Sequence, residues 1–282
     1  MFSSKDKGFK RDLPGLITVT IGAAIIVVFA LFPVIWFTLG SFKTEVQLFS
    51  IANTFVFEPV LENYVYAFST RNMFSYLANS TIVTIFAVIF QLAVSIPAAY
   101  SLARFKSKSF ELLAYMMLAT RLLPSFVILI PLYLLYLKLG LLNTRFGLIF
   151  AYTAFGIPFA VWMLRGFIRT LPREIEDSAM IDGCSTLGII VRIVVPLIKP
   201  GIVATALLLA IGAWGEFIFA LILTVSPAAR TLPAAIAGFQ EAYGVKWGAI
   251  MAAGVVALLP VVLLVSVAQR SLLRGITAGA FK

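Results

Sequence analysis

The sequence predicts an all-α integral membrane protein with six transmembrane helices, and three observations carry that reading. Hydrophobic residues make up 61% of the 282-residue chain. Charged residues make up only 12%, about half the fraction usual in a soluble domain. The apolar residues also fall into six runs, each close to the roughly 20 residues a helix needs to cross hydrocarbon. Barrel strands would be shorter and would alternate in polarity.

The first span covers about 16–39, with Pro33 as a kink. It follows Lys5, Lys7, Lys10 and Arg11, an arrangement that imitates a signal peptide. The run is too long for a signal core and lacks a cleavage signature, so it reads as a retained span. The second span covers about 77–100, with Pro97 near its end. The third covers about 111–134 and is read as broken by Pro124 and Pro131. The fourth, fifth and sixth cover about 146–164, 201–223 and 248–267. Arg121 falls inside the third span, where facing lipid is costly. Two readings stand for it: a bundle or pathway residue, or an arginine snorkelling from an interrupted helix end.

Charge placement orients the spans. With the N terminus inside, fifteen basic residues fall in cytoplasmic segments and six in outside segments, leaving Arg121 within a span. That asymmetry puts both termini in the cytoplasm. It also accounts for the formal charge of +10 without nucleic acid, for which no basic aromatic surface or motif is present. Two outside segments, 41–75 and 224–247, are long. The longest inside segment is 165–200.

The absence of histidine excludes a His-based metal site and a Ser-His-Asp triad, and one cysteine, Cys184, excludes an internal disulfide. No metal-binding set and no GxxxxGK[ST] nucleotide loop is present, and no catalytic residues are expected.

The inside segment 165–200 holds the polar cluster EIEDSAMIDGCS at 174–185. Pro172 suits the first turn of a short helix, and Glu174, Glu176 and Asp177 suit its N-terminal end. Ile175 and Ala179 are four apart and are expected on one face. Gly183 suits a helix stop, and Ser185 a cap for a second helix reaching about Val195. Two such helices would form either a knob that docks another protein or a loop lying on the membrane surface.

Residues 171–201, LPREIEDSAMIDGCSTLGIIVRIVVPLIKPG, resemble the signature loop of binding-protein-dependent ABC transporter permeases, in the sugar-importer branch related to the maltose permeases. The family's Glu-Ala-Ala is degenerate here, as Asp177, Ser178 and Ala179, but IDG at 181–183 and PLIKPG at 196–201 are close to the family form. AAYSLARF at 98–105, IPLYLLYLKLGLLNT at 130–144, RTLPAAIAGF at 230–239 and RSLLRGITAGAFK at 270–282 resemble further family stretches in order. WGEF at 214–217 also matches, with Gly215 where the family usually has Asn.

The resemblance implies a cytoplasmic segment at 1–15, a six-span permease domain at 16–269 and a cytoplasmic tail at 270–282. The permease core would cover about 74–269, with a coupling-helix loop at 165–200. It implies a multi-pass protein of the cell membrane and a second homologous permease. Two ATPase subunits would use ATP and Mg2+, and an extracytoplasmic sugar-binding protein would deliver the sugar. This chain would bind no cofactor and would not itself be an enzyme. Glu174, Ile175, Glu176, Asp177, Ala179, Met180, Ile181, Asp182 and Gly183 are the expected contacts to the ATPase. Phe239, Gln240, Glu241 and Tyr243 are expected near the delivery protein or the sugar, with interface anchoring as the other reading of the aromatics. Glu216 joins Arg121 as a pathway or bundle polar residue. Glycerol phosphate or a polyol as cargo, or a nontransporting membrane scaffold, are the alternative functions.

Overall fold

A computed structural model describes residues 13–105, 107–122, 124–241 and 244–280. Helix α1 (Leu13–Ser41) is apolar on every face and exposes nearly all of its side chains, as a helix bordered by lipid does. Pro33 lies inside it without ending it. Two one-turn helices follow, α2 (Glu45–Leu48) and α3 (Glu62–Val65). Thr44 and Gln47 form a capping box on α2. Asn63 ties this segment back to α1, donating from Nδ2 to the carbonyls of Ser41 at 3.0 Å and Lys43 at 2.8 Å.

The long helix α4 (Met73–Arg104) comes next, then α5 (Lys108–Ala119) and α6 (Ser125–Leu139). Helix α7 (Arg145–Arg169) leads into α8 (Glu174–Ile181) and α9 (Thr186–Ile189). A π-helical stretch, Ile190–Val194, joins α9 to α10 (Val195–Leu197). Helix α11 (Lys199–Trp214) is followed by α12 (Ile218–Leu223), α13 (Leu232–Ile236) and the terminal helix α14 (Trp247–Ala280). Between α13 and α14, a two-stranded antiparallel ribbon pairs β1 (Gln240–Glu241) with β2 (Gly244–Val245).

Among the described residues, four helices are long and apolar enough to cross a membrane: α1, α4, α7 and α14. Two bent pairs raise that number to six if each pair is one span. The first joins 108–122 to 126–139 through a 94° bend, and the second joins 186–197 to 199–214 through an 82° bend. The chain is thus an all-α bundle of a multi-pass membrane protein.

Two sequence expectations are corrected. Pro124 stands at the break between α5 and α6, but Pro131 lies within continuous helix. A proline nearly two turns into a helix, as Pro131 is, is tolerated when neighbours resatisfy the freed carbonyl. The fifth span is not continuous over 201–223: α11 stops at Trp214, and α12 restarts at Ile218. Helices α4 and α7 make the most extensive contact in the fold, while α1 and α11 both pack on α14. Gly156 permits the central approach, because a Cβ there would collide with Gln91 Nε2.

Candidate functional site

Helix α8 carries the acidic cluster. No side chain caps its N terminus, but Glu174, Glu176 and Asp177 occupy its first turn, where the helix dipole favours negative charge. At the other end, Gly183 N–H bonds the Met180 carbonyl and Cys184 N–H bonds the Ala179 carbonyl. Gly183 has φ +83°, the left-handed conformation that closes such a turn. Ser185 Oγ then accepts from Gly188 N–H and starts α9. The expected helix, glycine turn and capped second helix are all present, and they form a knob.

The knob is not polar on all sides. Glu176 is 4% exposed, and its carboxylate accepts from Tyr100 Oη at 2.8 Å and from Arg104 Nε at 2.9 Å. Arg104 Nη2 makes a second contact to the same carboxylate and reaches the Leu171 carbonyl at 3.2 Å. Arg173 Nη2 in return donates to the Arg104 carbonyl. A two-pronged arginine–carboxylate pair largely withdrawn from water is among the stronger polar contacts in proteins. It latches α8 to the last turn of α4. Ala179 is buried beside it, in a core that includes Leu164, Ile168, Ile189 and Val194.

This geometry corrects two site expectations. The inward face of α8 is Glu176 with Ala179, three apart, and not Ile175 with Ala179, since Ile175 is exposed. Glu176 is also spent inside the chain and presents no carboxylate outward. The outward set is Glu174, Ile175, Asp177, Met180, Ile181, Asp182 and Gly183, with Ile181 87% exposed. Sequence reasoning missed Tyr100 and Arg104 as partners, although their i, i+4 spacing marks them as one helix face.

A second polar constellation lies deeper in the bundle. A cavity of about 680 Å³ is lined by Gln91, Arg121, Tyr152, Phe159, Glu216 and Phe219, among others. Glu216 sits in the gap between α11 and α12. Its Oε1 accepts from Phe219 N–H at 2.8 Å, and its Oε2 from Ala220 N–H at 3.1 Å and Tyr152 Oη at 2.7 Å. The carboxylate thereby satisfies first-turn donors of α12 that have no intrahelical partner. Gln91 is 2% exposed; its Nε2 donates to the Tyr152 carbonyl at 2.7 Å, and its Oε1 has no partner among the described residues. Arg121 occupies the turn between α5 and α6, its guanidinium 5.6 Å from the Phe159 ring centre. It makes no ion pair among the described residues. Arg121 and Glu216, named separately from sequence, thus share one cavity. Gln91 and Tyr152 join them, and no sequence motif pointed to either.

The third expected group is split. Phe239 is 1% exposed and packs in a core with Met73, Trp214 and Leu232, so it is corrected from an exposed contact to a core residue. Gln240 and Glu241 form β1. Tyr243 lies outside the described residues.

Residues 92–278 match a family model described as the binding-protein-dependent transport system inner membrane component. The chain is 38% identical over 263 residues to a sulfoquinovosyl glycerol transport system permease protein of Agrobacterium fabrum, covering 93% of this chain and 92% of the relative. It is 35% identical over 269 residues to a trehalose/maltose transport system permease protein of Thermococcus litoralis, covering 94% and 96% of the two chains. The fold resembles a chain of a bacterial ABC transporter involved in import of the acidic polysaccharide alginate. That match has a TM-score of 0.75 and 21% identity, and covers 96% and 98% of the two chains.

Proposed function

We propose, from the premise that this chain belongs to the family of binding-protein-dependent transport system inner membrane components, that it is one permease subunit of an ATP-driven sugar importer. The observation that carries the reading is the latched knob, whose outward face is charged and apolar, on a chain that matches permeases along most of its length. Two ATPase subunits hold and hydrolyse ATP, and one receives the knob. A second permease completes the pathway, and a solute-binding protein delivers cargo from outside.

In this reading α5 with α6 forms one span and α11 with α12 another, so that with α1, α4, α7 and α14 six spans cross the membrane, α8 and α9 stay on the cytoplasmic side, and both termini are cytoplasmic. Asp177, Glu174 and Asp182 meet basic groups of the ATPase, while Ile175, Met180 and Ile181 fill its groove. Closure of the ATPase pair pulls the knob. The Glu176–Arg104 pair passes that displacement to α4 rather than letting it dissipate in a slack contact. Helices α4 and α7 then rock about their long contact and expose the cavity to alternate sides.

The cavity has the size range of small-molecule sites. Arg121 offers donors to a sugar hydroxyl, and Phe159, only partly buried, offers a flat face to a ring. The relatives named above act on sulfoquinovosyl glycerol and on trehalose or maltose, which supports a sugar-type cargo without narrowing it to the maltose type. One observation favours a second reading of the cargo. Arg121 is a cavity cation with no ion pair among the described residues, which suits an anionic group such as that of glycerol phosphate.

The test is uptake by the purified complex in liposomes, across labelled neutral sugars, acidic sugars and glycerol phosphate. The expected result is uptake of one sugar that requires both ATP and the binding protein. Retention of glycerol phosphate alone would shift the reading to the second cargo. An intact chain that purifies with no ATPase would overturn the importer reading.

A further inference from the structure

A separate cavity of about 550 Å³ opens beside the base of the knob, between the end of α4, the start of α5 and the end of α7. Five cations line it: Arg104, Lys108, Arg165, Arg169 and Arg173. Its only lining carboxylate among the described residues is Glu111. Glu111 Oε1 serves both Arg165 at 3.4 Å and Arg169 at 3.3 Å, while Glu176 serves Arg104. Two carboxylates therefore answer three arginines. Arg173 is matched only by the Arg104 carbonyl, and Lys108 makes no ion pair among the described residues.

Such crowding favours an anion, because the exposed Lys108 and Arg173 bring charge to the cavity that no carboxylate among the described residues answers. Arg165 is 5% exposed, so its charge is poorly screened, and its Nε is fixed on the Leu102 carbonyl at 3.1 Å. Guanidinium groups present paired N–H donors that suit the oxygens of a phosphate. The first turn of α5 also faces the cavity through Ser107 and Lys108, adding the positive end of a 12-residue helix. The rest of the ligand is indicated by what adjoins the cavity. One turn beyond Lys108, α5 begins a row of exposed apolar side chains at Leu112, Leu113 and Met116.

We propose that this cavity binds the phosphate of an anionic phospholipid, with its acyl chains along the exposed face of α5. The proposal rests on the reading above that α5 enters the membrane from the cytoplasmic side. Arg104 and Arg173 belong both to the cavity and to the hold on α8, so the lipid headgroup steadies the base of the knob.

The experiment uses the complete transporter in nanodiscs of phosphatidylcholine, with or without phosphatidylglycerol. Retained lipid is read by native mass spectrometry. The wild-type complex is expected to keep phosphatidylglycerol. A Lys108→Gln/Arg173→Gln variant should need roughly tenfold or more phosphatidylglycerol for the same retention, from two lost cations near a membrane surface. A Lys108→Arg/Arg173→Lys variant should restore retention, which separates charge from folding. Equal retention by the Gln variant and the wild type would overturn the proposal. So would glycerol phosphate binding from solution, in phosphatidylcholine discs, with the same dependence on Lys108 and Arg173, because the cavity would then serve a soluble anion. Lipid retention does not require transport. Failure of uptake with retention intact therefore strikes the importer reading and not this one.

Discussion

Two carboxylates, Glu176 in the knob and Glu216 in the bundle, are each tied to a tyrosine hydroxyl, at 2.8 and 2.7 Å. Their other partners differ. Glu176 is matched by the Arg104 guanidinium, a partner of opposite charge. Glu216 is matched by two backbone N–H groups, both neutral. The first site is electrically closed and is suited to holding two elements in fixed relation. The second leaves its negative charge facing a cavity, where a ligand can sense it. The same residue type thus serves as a fastener in one region and as a field source in the other, according to whether its donors carry charge.

The largest expected effect tests the fastener. Glu176→Gln leaves the Arg104 guanidinium buried without its counter-ion, a loss of about 3 kcal/mol or more. The assembled complex should melt well below wild type, and ATP hydrolysis should no longer drive uptake. Adding Arg104→Gln should recover part of the melting temperature, since the uncompensated charge is removed with its partner. Melting and uptake unchanged in the single variant would show that Glu176 fastens nothing.

Next in size is Gly183→Asp, which separates the knob's internal hold from its outward docking face. Nothing lies within 4 Å of a Cβ built at Gly183, so the cost within the chain comes from the left-handed backbone alone. That cost is roughly 1–2 kcal/mol, and smaller for Asp and Asn than for other residues. The variant should insert and assemble yet lose uptake by about tenfold or more, equivalent to ~1.4 kcal/mol of docking energy. Gly183→Asn, equally tolerant of the backbone and close in size, should lose a comparable share of uptake, because the added bulk and not the charge holds the face off its groove. Equal uptake in the Asp variant and the wild type would place the docking face elsewhere.

The smallest expected change comes from the field source. Glu216→Gln keeps one acceptor for α12 and turns the other oxygen into an amide donor, so one helix-terminal hydrogen bond is lost with the charge and stability should fall by about 1 kcal/mol. Cargo preference should move instead, toward more anionic solutes, as Arg121 becomes the cavity's dominant charge. An unchanged uptake profile with a large drop in melting temperature would reverse the comparison and make Glu216 a fastener too.

Much of the knob was readable as sequence because each device is local. Pro172 before an acidic turn, Gly183 at the stop and Ser185 as a cap each act within four residues. The apolar runs were readable for the same reason. Glu176 was not, because four carboxylates within nine residues look alike until the helix is built and one of them turns inward. Its partners lie 72 and 76 residues away. The interruption at Gly215 and Glu216 was hidden for a different reason. Two residues barely dilute the apolar character of a whole span, and the use of Glu216 as a donor trap depends on Tyr152 from another helix. Phe239 misled because an aromatic in a long polar-flanked loop reads the same whether it faces solvent or fills the core under it.

The separation within the Glu176–Arg104 pair has a consequence for how the molecule is made. Arg104 leaves the ribosome 72 residues before Glu176. At roughly 5–20 residues per second, that is a wait on the order of 4–14 s. Throughout it, α4 is complete while its terminal arginine lacks the carboxylate that later receives it. The arginine is therefore free to act first as a topological anchor against the anionic leaflet and only later as half of a latch. The knob takes its final orientation after α7 has been synthesised, so a nascent chain stalled before residue 176 would hold the first half of the bundle with its future docking end still undefined.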